Sequence, residues 1–117
     1  MTRRVVPNLR AEVPQDGEDF FTKVLGLRRA MDMGFIVTYV SPSNAEAQVS
    51  VLSQDPSGLN PDYSVEVDDV DEAHASAENQ GREIVYPLTD EPWGVRRFFV
   101  RDPTGSIVSV LAHREGK

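Results

Sequence analysis

Two stretches of this chain each hold a pair of runs rich in apolar, β-branched and aromatic residues, one on either side of a turn. Residues 35–40 and 47–52 flank Ser41-Pro42-Ser43-Asn44, and residues 96–101 and 106–111 flank Asp102-Pro103-Thr104-Gly105. β-rich runs separated by turn residues predict β-hairpins. In the second turn Pro103 presets φ, Gly105 tolerates positive φ, and Asp102 caps with its carboxylate. Val49-Ser50-Val51-Leu52 recurs letter for letter as Val108-Ser109-Val110-Leu111. The same four residues at the same place in two equivalent hairpins indicate an internally duplicated fold.

The rest of the pattern supports the duplication. Residues 5–13 read as a strand, with Pro7 suggesting an edge position because it cannot donate to a ladder. Pro14-Gln15-Asp16-Gly17-Glu18-Asp19 opens a predicted helix, its acidic residues suiting the positive end of the dipole. Phe20, Phe21, Val24 and Leu25 form its apolar stripe and Gly26 ends it. Residues 27–33 form a strand. Asp55–Pro61 is rich in turn residues and is the predicted linker. The plan then restarts. Residues 63–67 form a strand, and Asp69 with Glu72 forms a capping box for a helix that stops at Gly81. Residues 83–87 form a strand, and a loop over 88–94 carries Trp93. Arg114–Lys117 reads as a solvated tail. The predicted class is α+β: one domain of two βαβββ modules, the first about 1–54, the linker 55–61 and the second about 62–117. Neither module closes a core alone.

Composition narrows the function classes. The chain has 117 residues, 39% hydrophobic, with a formal net charge of −7 and no cysteine. The acidic balance argues against unspecific binding to nucleic acid or anionic membrane. No apolar run approaches the ~20 residues that span a bilayer. Without cysteine there is no disulfide, thiolate nucleophile or zinc–sulfur site. With no export signal in the first residues, a cytoplasmic protein is expected.

Three segments carry a family resemblance: Asp19-Phe20-Phe21-Thr22-Lys23-Val24-Leu25-Gly26-Leu27, Val65-Glu66-Val67-Asp68-Asp69-Val70-Asp71-Glu72-Ala73, and the strongest, Trp93 through Gly105. In this order they resemble the vicinal oxygen chelate superfamily, which includes glyoxalase I, bleomycin-resistance proteins, fosfomycin-resistance enzymes and extradiol dioxygenases. The resemblance implies curved mixed sheets around a cup, a ligand in that cup and a homodimer. It also implies four inward positions that hold metal ligands in the metal-dependent members. These fall here on Val6, Ser50, Asp62 and Ser109. Valine cannot donate, serine hydroxyls are poor ligands, and one aspartate is too few for a divalent catalytic ion. No metal and no cofactor are expected.

Other chemistry is sparse. His74 lies in the second helix beside Asp71 and Glu78 and reads as a solvated helix-face residue. His113 lies just beyond the last strand. Glu66 alternates with Val65 and Val67 and could point inward, where a buried carboxylate can act as a base. Alternation puts Arg97, Phe99 and Arg101 on one face, which the resemblance makes the inward one, near Ser109. Arg97 could bind an anionic or carbonyl ligand bidentately, but an ion pair with Glu91 or Asp102 is the commoner outcome. Trp93 presents a large flat ring at the rim. Parity does not say whether Phe35, Tyr39 and Tyr86 line the cup or the helix-facing core. Tyr63 is expected under the helix, with Val65 and Val67.

The leading expectation is a metal-free, homodimeric protein of the bleomycin-resistance type that sequesters a small, flat, partly aromatic organic molecule. The ligand-binding residues expected are Asn8, Tyr39, Ser50, Leu52, Trp93, Arg97, Phe99 and Ser109. The alternative is a glyoxalase-like lyase or isomerase with an atypical site, which would need Asp62, Glu66 or His113 to converge.

Overall fold

The Asp102–Gly105 turn forms as its chemistry dictates. Asp102 Oδ1 accepts from the amides of Thr104 at 2.8 Å and Ser106 at 3.0 Å, and Gly105 takes φ +92°. In the computed structural model, residues 1–114 are described. They form strands β1 (Thr2–Arg10), β2 (Arg28–Asp32), β3 (Ile36–Ser41), β4 (Asn44–Leu52), β5 (Tyr63–Val67), β6 (Ile84–Asp90), β7 (Val95–Arg101) and β8 (Ile107–His113), with one α-helix, α1 (Val70–Asn79). Strand order is β2-β3-β4-β1-β5-β8-β7-β6. Each half repeats one topology, an antiparallel three-strand run closed by a parallel pair: β1 beside β4, and β5 beside β8. The class is α+β, built on mixed pairing.

The chain divides into two compact units, residues 6–60 and residues 1–5 with 61–117. β1 therefore serves both: its first residues belong with the second half of the chain. Pro7 does not mark an edge: β1 lies between β4 and β5 in the strand order, and Pro7 falls just before the pairing with β4 begins at Asn8.

In the unit formed by residues 6–60, Val37, Tyr39 and Val51 form a core joined by Ala11, Phe21, Leu27 and Val49. The predicted helix forms there as one irregular stretch over residues 14–24 that changes type along its length. Pro14–Gly17 is a 3₁₀ turn and Phe20–Val24 a single π turn. The amide of Leu25 bonds the carbonyl of Phe20 at 3.3 Å, and Thr22 Oγ1 bonds back to the Glu18 carbonyl at 2.9 Å. Such back-bonding competes with regular helical pairing. The apolar stripe is split by this geometry: Phe21 packs on the core, while Phe20, Val24 and Leu25 are exposed.

In the other unit the expected helix forms. Asp69 Oδ1 accepts the Glu72 amide at 3.0 Å, and Gly81, at φ +70°, follows the helix end. α1 lies on the sheet face that carries Phe98, Val100 and Val110. His74 is not a solvated residue: its ring meets Phe98 edge-on at 4.9 Å and is half-buried. β6 and β8 each run further than the pattern predicts, so His113 ends a strand rather than following one. Of the expected tail, Arg114 is exposed, its amide bonded to the Gly94 carbonyl at 2.8 Å; residues 115–117 lie outside the described residues.

Candidate functional site

Register fixes which side chains share a face, because paired residues project to the same side of a sheet. Within residues 6–60, Asn8 pairs with Ser50 and Ser50 with Thr38. The hydroxyls of Thr38 and Ser50 are 2.8 Å apart and buried. Leu52, two residues on, shares their face and is 1% exposed. Tyr39 does not. It follows Thr38 in β3, so it points to the opposite face, where its ring stacks on Phe21 at 4.8 Å. Its hydroxyl is buried without a hydrogen-bond partner, and burial, with Glu18 nearby, raises its pKa. Tyr39 is a core residue, separated from Ser50 and Leu52 by the thickness of the sheet.

Within the other unit, Ser109 pairs with Ser64 and with Phe99, and Leu111 pairs with Glu66 and with Arg97. These six therefore share one face. Tyr63 and Val65, paired with Val108 and Val110, face α1, as the pattern expected. The Tyr63 hydroxyl donates to Asp102 at 2.8 Å. Bonds from Thr104 and Tyr63 hold the Asp102 carboxyl down at about 2.

Arg97 is the centre of the most organised cluster. Its Nε donates to Glu91 Oε2 at 2.6 Å, and the two side chains are 7% and 9% exposed. The Tyr86 hydroxyl donates to the same oxygen at 2.8 Å. The guanidinium carbon lies 4.7 Å from the ring centre of Phe99, 5.1 Å from Trp93 and 5.3 Å from Tyr86, distances at which the ring quadrupoles attract it. Register shifts in β6 around Tyr86 bring that residue opposite Phe99, the kind of re-aiming a bulge produces. The turn that follows is closed by Glu91 N to Val95 O at 2.7 Å, with Gly94 at φ +93°. It sets Trp93 over the cation with 36% of its surface exposed. The expected Arg97–Glu91 ion pair is present; Tyr86 as its third member had no signal in the sequence beyond being aromatic.

A second polar cluster sits on the same face. Glu66 Oε2 is 2.8 Å from His113 Nδ1, and Glu66 Oε1 is 2.6 Å from Arg4 Nε. The Arg4 contact is Coulombic rather than a hydrogen bond, since that buried nitrogen finds no acceptor at a bonding angle. Asp62 does not join. Its Oδ2 accepts the Ile107 amide at 2.8 Å, locking the entry to the β5–β8 pair.

The residue paired with Ser50 is Asn8 and the residue paired with Ser109 is Ser64, each two residues along the chain from the implied Val6 and Asp62. Each pair lies within its own unit, and the two are equivalent in the repeat. Their donors are an amide and hydroxyls, without the imidazole or carboxylate that a divalent catalytic ion takes. The residues do not fit a metal of that kind. Among the described residues no group of three or more His, Asp or Glu side chains is placed to hold an ion.

A sequence profile of one family matches residues 7–110. The chain belongs to the Glyoxalase/Bleomycin resistance protein/Dioxygenase superfamily. Solved members of similar form include a superfamily protein from Vibrio splendidus 12B01, 18% identical with a TM-score of 0.70, covering 96% of this chain and 99% of that one. A structure described as the NAD-dependent benzaldehyde dehydrogenase from Legionella pneumophila gives a TM-score of 0.75 at 16% identity, over 93% and 98% of the two chains. Methylmalonyl-CoA epimerase from Mycobacterium tuberculosis gives 0.68 at 15%, over 96% and 87%. At these identities the likeness is one of fold. No curated protein sequence matches. Among the described residues no helix is long and apolar enough to cross a membrane.

Proposed function

We propose that this superfamily member is a metal-independent binder that sequesters a small, flat organic molecule and works as a homodimer. The observation that carries the reading is the neutral donor set at the paired positions, Asn8 with Ser50 and Ser64 with Ser109. Ser50, Leu52, Phe99 and Ser109 are each less than 5% exposed. Trp93, exposed and backed by Arg97, is therefore the ring offered to a ligand. Covering about 120 Å² of apolar surface there would contribute about 3 kcal/mol at ~25 cal/mol per Å². Hydrogen bonds would set orientation. Exposed Leu9, Val13, Phe20, Val24 and Leu25 support a second copy of the chain, since a subunit contact would cover them.

Trp93 is the single tryptophan, so its fluorescence reports the site. Titration with a panel of aromatic natural products and carbonyl compounds should quench it. By calorimetry, Trp93→Ala should bind the same compound roughly tenfold more weakly or worse, a loss of about 1.4 kcal/mol. Equal binding by a folded Trp93→Ala variant refutes the reading, as does stoichiometric Zn²⁺, Ni²⁺, Mn²⁺ or Fe²⁺ in the purified protein. An enzyme of the superfamily with an atypical site is the second reading, and the Glu66–His113 contact is what favours it.

A further inference from the structure

We propose that His113 and Glu66 form a metal-independent proton-transfer site, with His113 Nε2 as the base and Glu66 as the residue that positions it. The inference deepens the enzymatic reading and is independent of ligand sequestration at Trp93. Parallel pairing places Leu111 beside Glu66, and His113, two residues along β8, projects from the same face. The imidazole reaches back to Glu66 Oε2 at 2.8 Å, while Arg4 holds the other carboxylate oxygen at 2.6 Å. A carboxylate offers only acceptors, so in the neutral imidazole the contact assigns the proton to Nδ1 and the lone pair to Nε2. The carboxylate is 16% exposed and the imidazole 44%. The orienting group is thus sheltered and the reacting one accessible. Both line a cavity of about 260 Å³ with Arg3, Val67, Asp68 and Ala112.

The cavity is slightly smaller than the usual ligand pocket, so this arrangement suits a small carbon acid whose conjugate base is delocalised. The C–H proton passes to His113 Nε2 as its bonding pair moves into the substrate π-system. The imidazolium so formed keeps its Nδ1–H bond to Glu66, which stabilises the new charge. Arg3, which lines the same cavity and is paired with Asp68 at 3.0 Å, is the cation available to the developing anion. The proton then returns to carbon, or leaves to water where the substrate expels a group.

The probe is 5-nitrobenzisoxazole, a flat carbon acid. Loss of its ring C–H proton to a base breaks the N–O bond and releases a coloured cyanophenolate, with no co-reactant. The protein as it stands should open the ring faster than an equal concentration of free imidazole. His113→Ala should lower the rate roughly tenfold or more, the low end of general-base effects, and added imidazole should restore it. Glu66→Gln should lower kcat and leave KM unchanged, as loss of orientation would. Circular dichroism establishes that each variant is folded. Parent activity no greater than that of free imidazole overturns the proposal. So does a folded His113→Ala that is as fast as the parent or is not rescued by imidazole. Tryptophan quenching is read separately, so failure of this site and failure of sequestration are distinguishable.

Discussion

Replacing Glu91 by Gln tests whether the Arg97 cluster stabilises the protein or merely decorates it. The carboxylate receives two short bonds, 2.6 Å from Arg97 and 2.8 Å from Tyr86, and both partners of the ion pair are less than a tenth exposed. A buried hydrogen bond to a charged group contributes about 1.5–3 kcal/mol, and removing one partner of a buried pair costs about 3–5 kcal/mol. Glutamine keeps one acceptor oxygen and the side-chain volume, so the lower end, about 3 kcal/mol, is expected. For a chain of this size that lowers Tm by about 12 °C, at about 4 °C per kcal/mol. Urea unfolding followed by circular dichroism gives the free energy, with the slope m checking that the denatured state is unchanged. Arg97→Met and the double variant Arg97→Met/Glu91→Gln complete a cycle. The double variant should cost less than the sum of the singles by about 2 kcal/mol, because neither charge is then left facing a neutral partner. A Glu91→Gln cost below about 1 kcal/mol, or additive singles, refutes the reasoning and makes the pair equivalent to a surface salt bridge.

Two further outcomes follow from single groups. Tyr39→Phe removes a buried hydroxyl that has no partner, so it should stabilise by about 1 kcal/mol in the same urea assay; a loss of stability would mean the hydroxyl is satisfied. Asp102 titrates at about 2 when folded against its ordinary 3.8, so its bonds stabilise the protein above pH ~4 and are lost as pH falls through about 2. Asp102→Asn should flatten stability against pH over that acid range, measured by thermal melts, and an unchanged acid limb would contradict the assignment.

The sequence by itself determined most of the scaffold. β-rich runs, two turns with their own glycine, proline and aspartate chemistry, the Asp69–Glu72 box and the repeated Val-Ser-Val-Leu string depend on residues close in the chain. Local patterns are enough to specify local structure. What only the tertiary structure decided has one physical cause, the pairing of strands distant in sequence. Parallel pairing set Asn8 beside Ser50 and Ser64 beside Ser109, and it brought His113 to Glu66 across 47 residues. Parity on β3 sent Tyr39 to the core, because a shift of one residue reverses the face and no local signal sets that choice. The segment over residues 14–24 carries the predicted helical stripe but forms an irregular helix that ends in a π turn over Phe20–Val24. Residues 6–60 cover only Phe21 of that stripe, and a short helix left largely uncovered gains too little from packing to be regular. The Arg97 cluster needed three elements at once: the bulged edge strand brings Tyr86, the tight turn Glu91 and Trp93, and the paired strand Arg97 and Phe99.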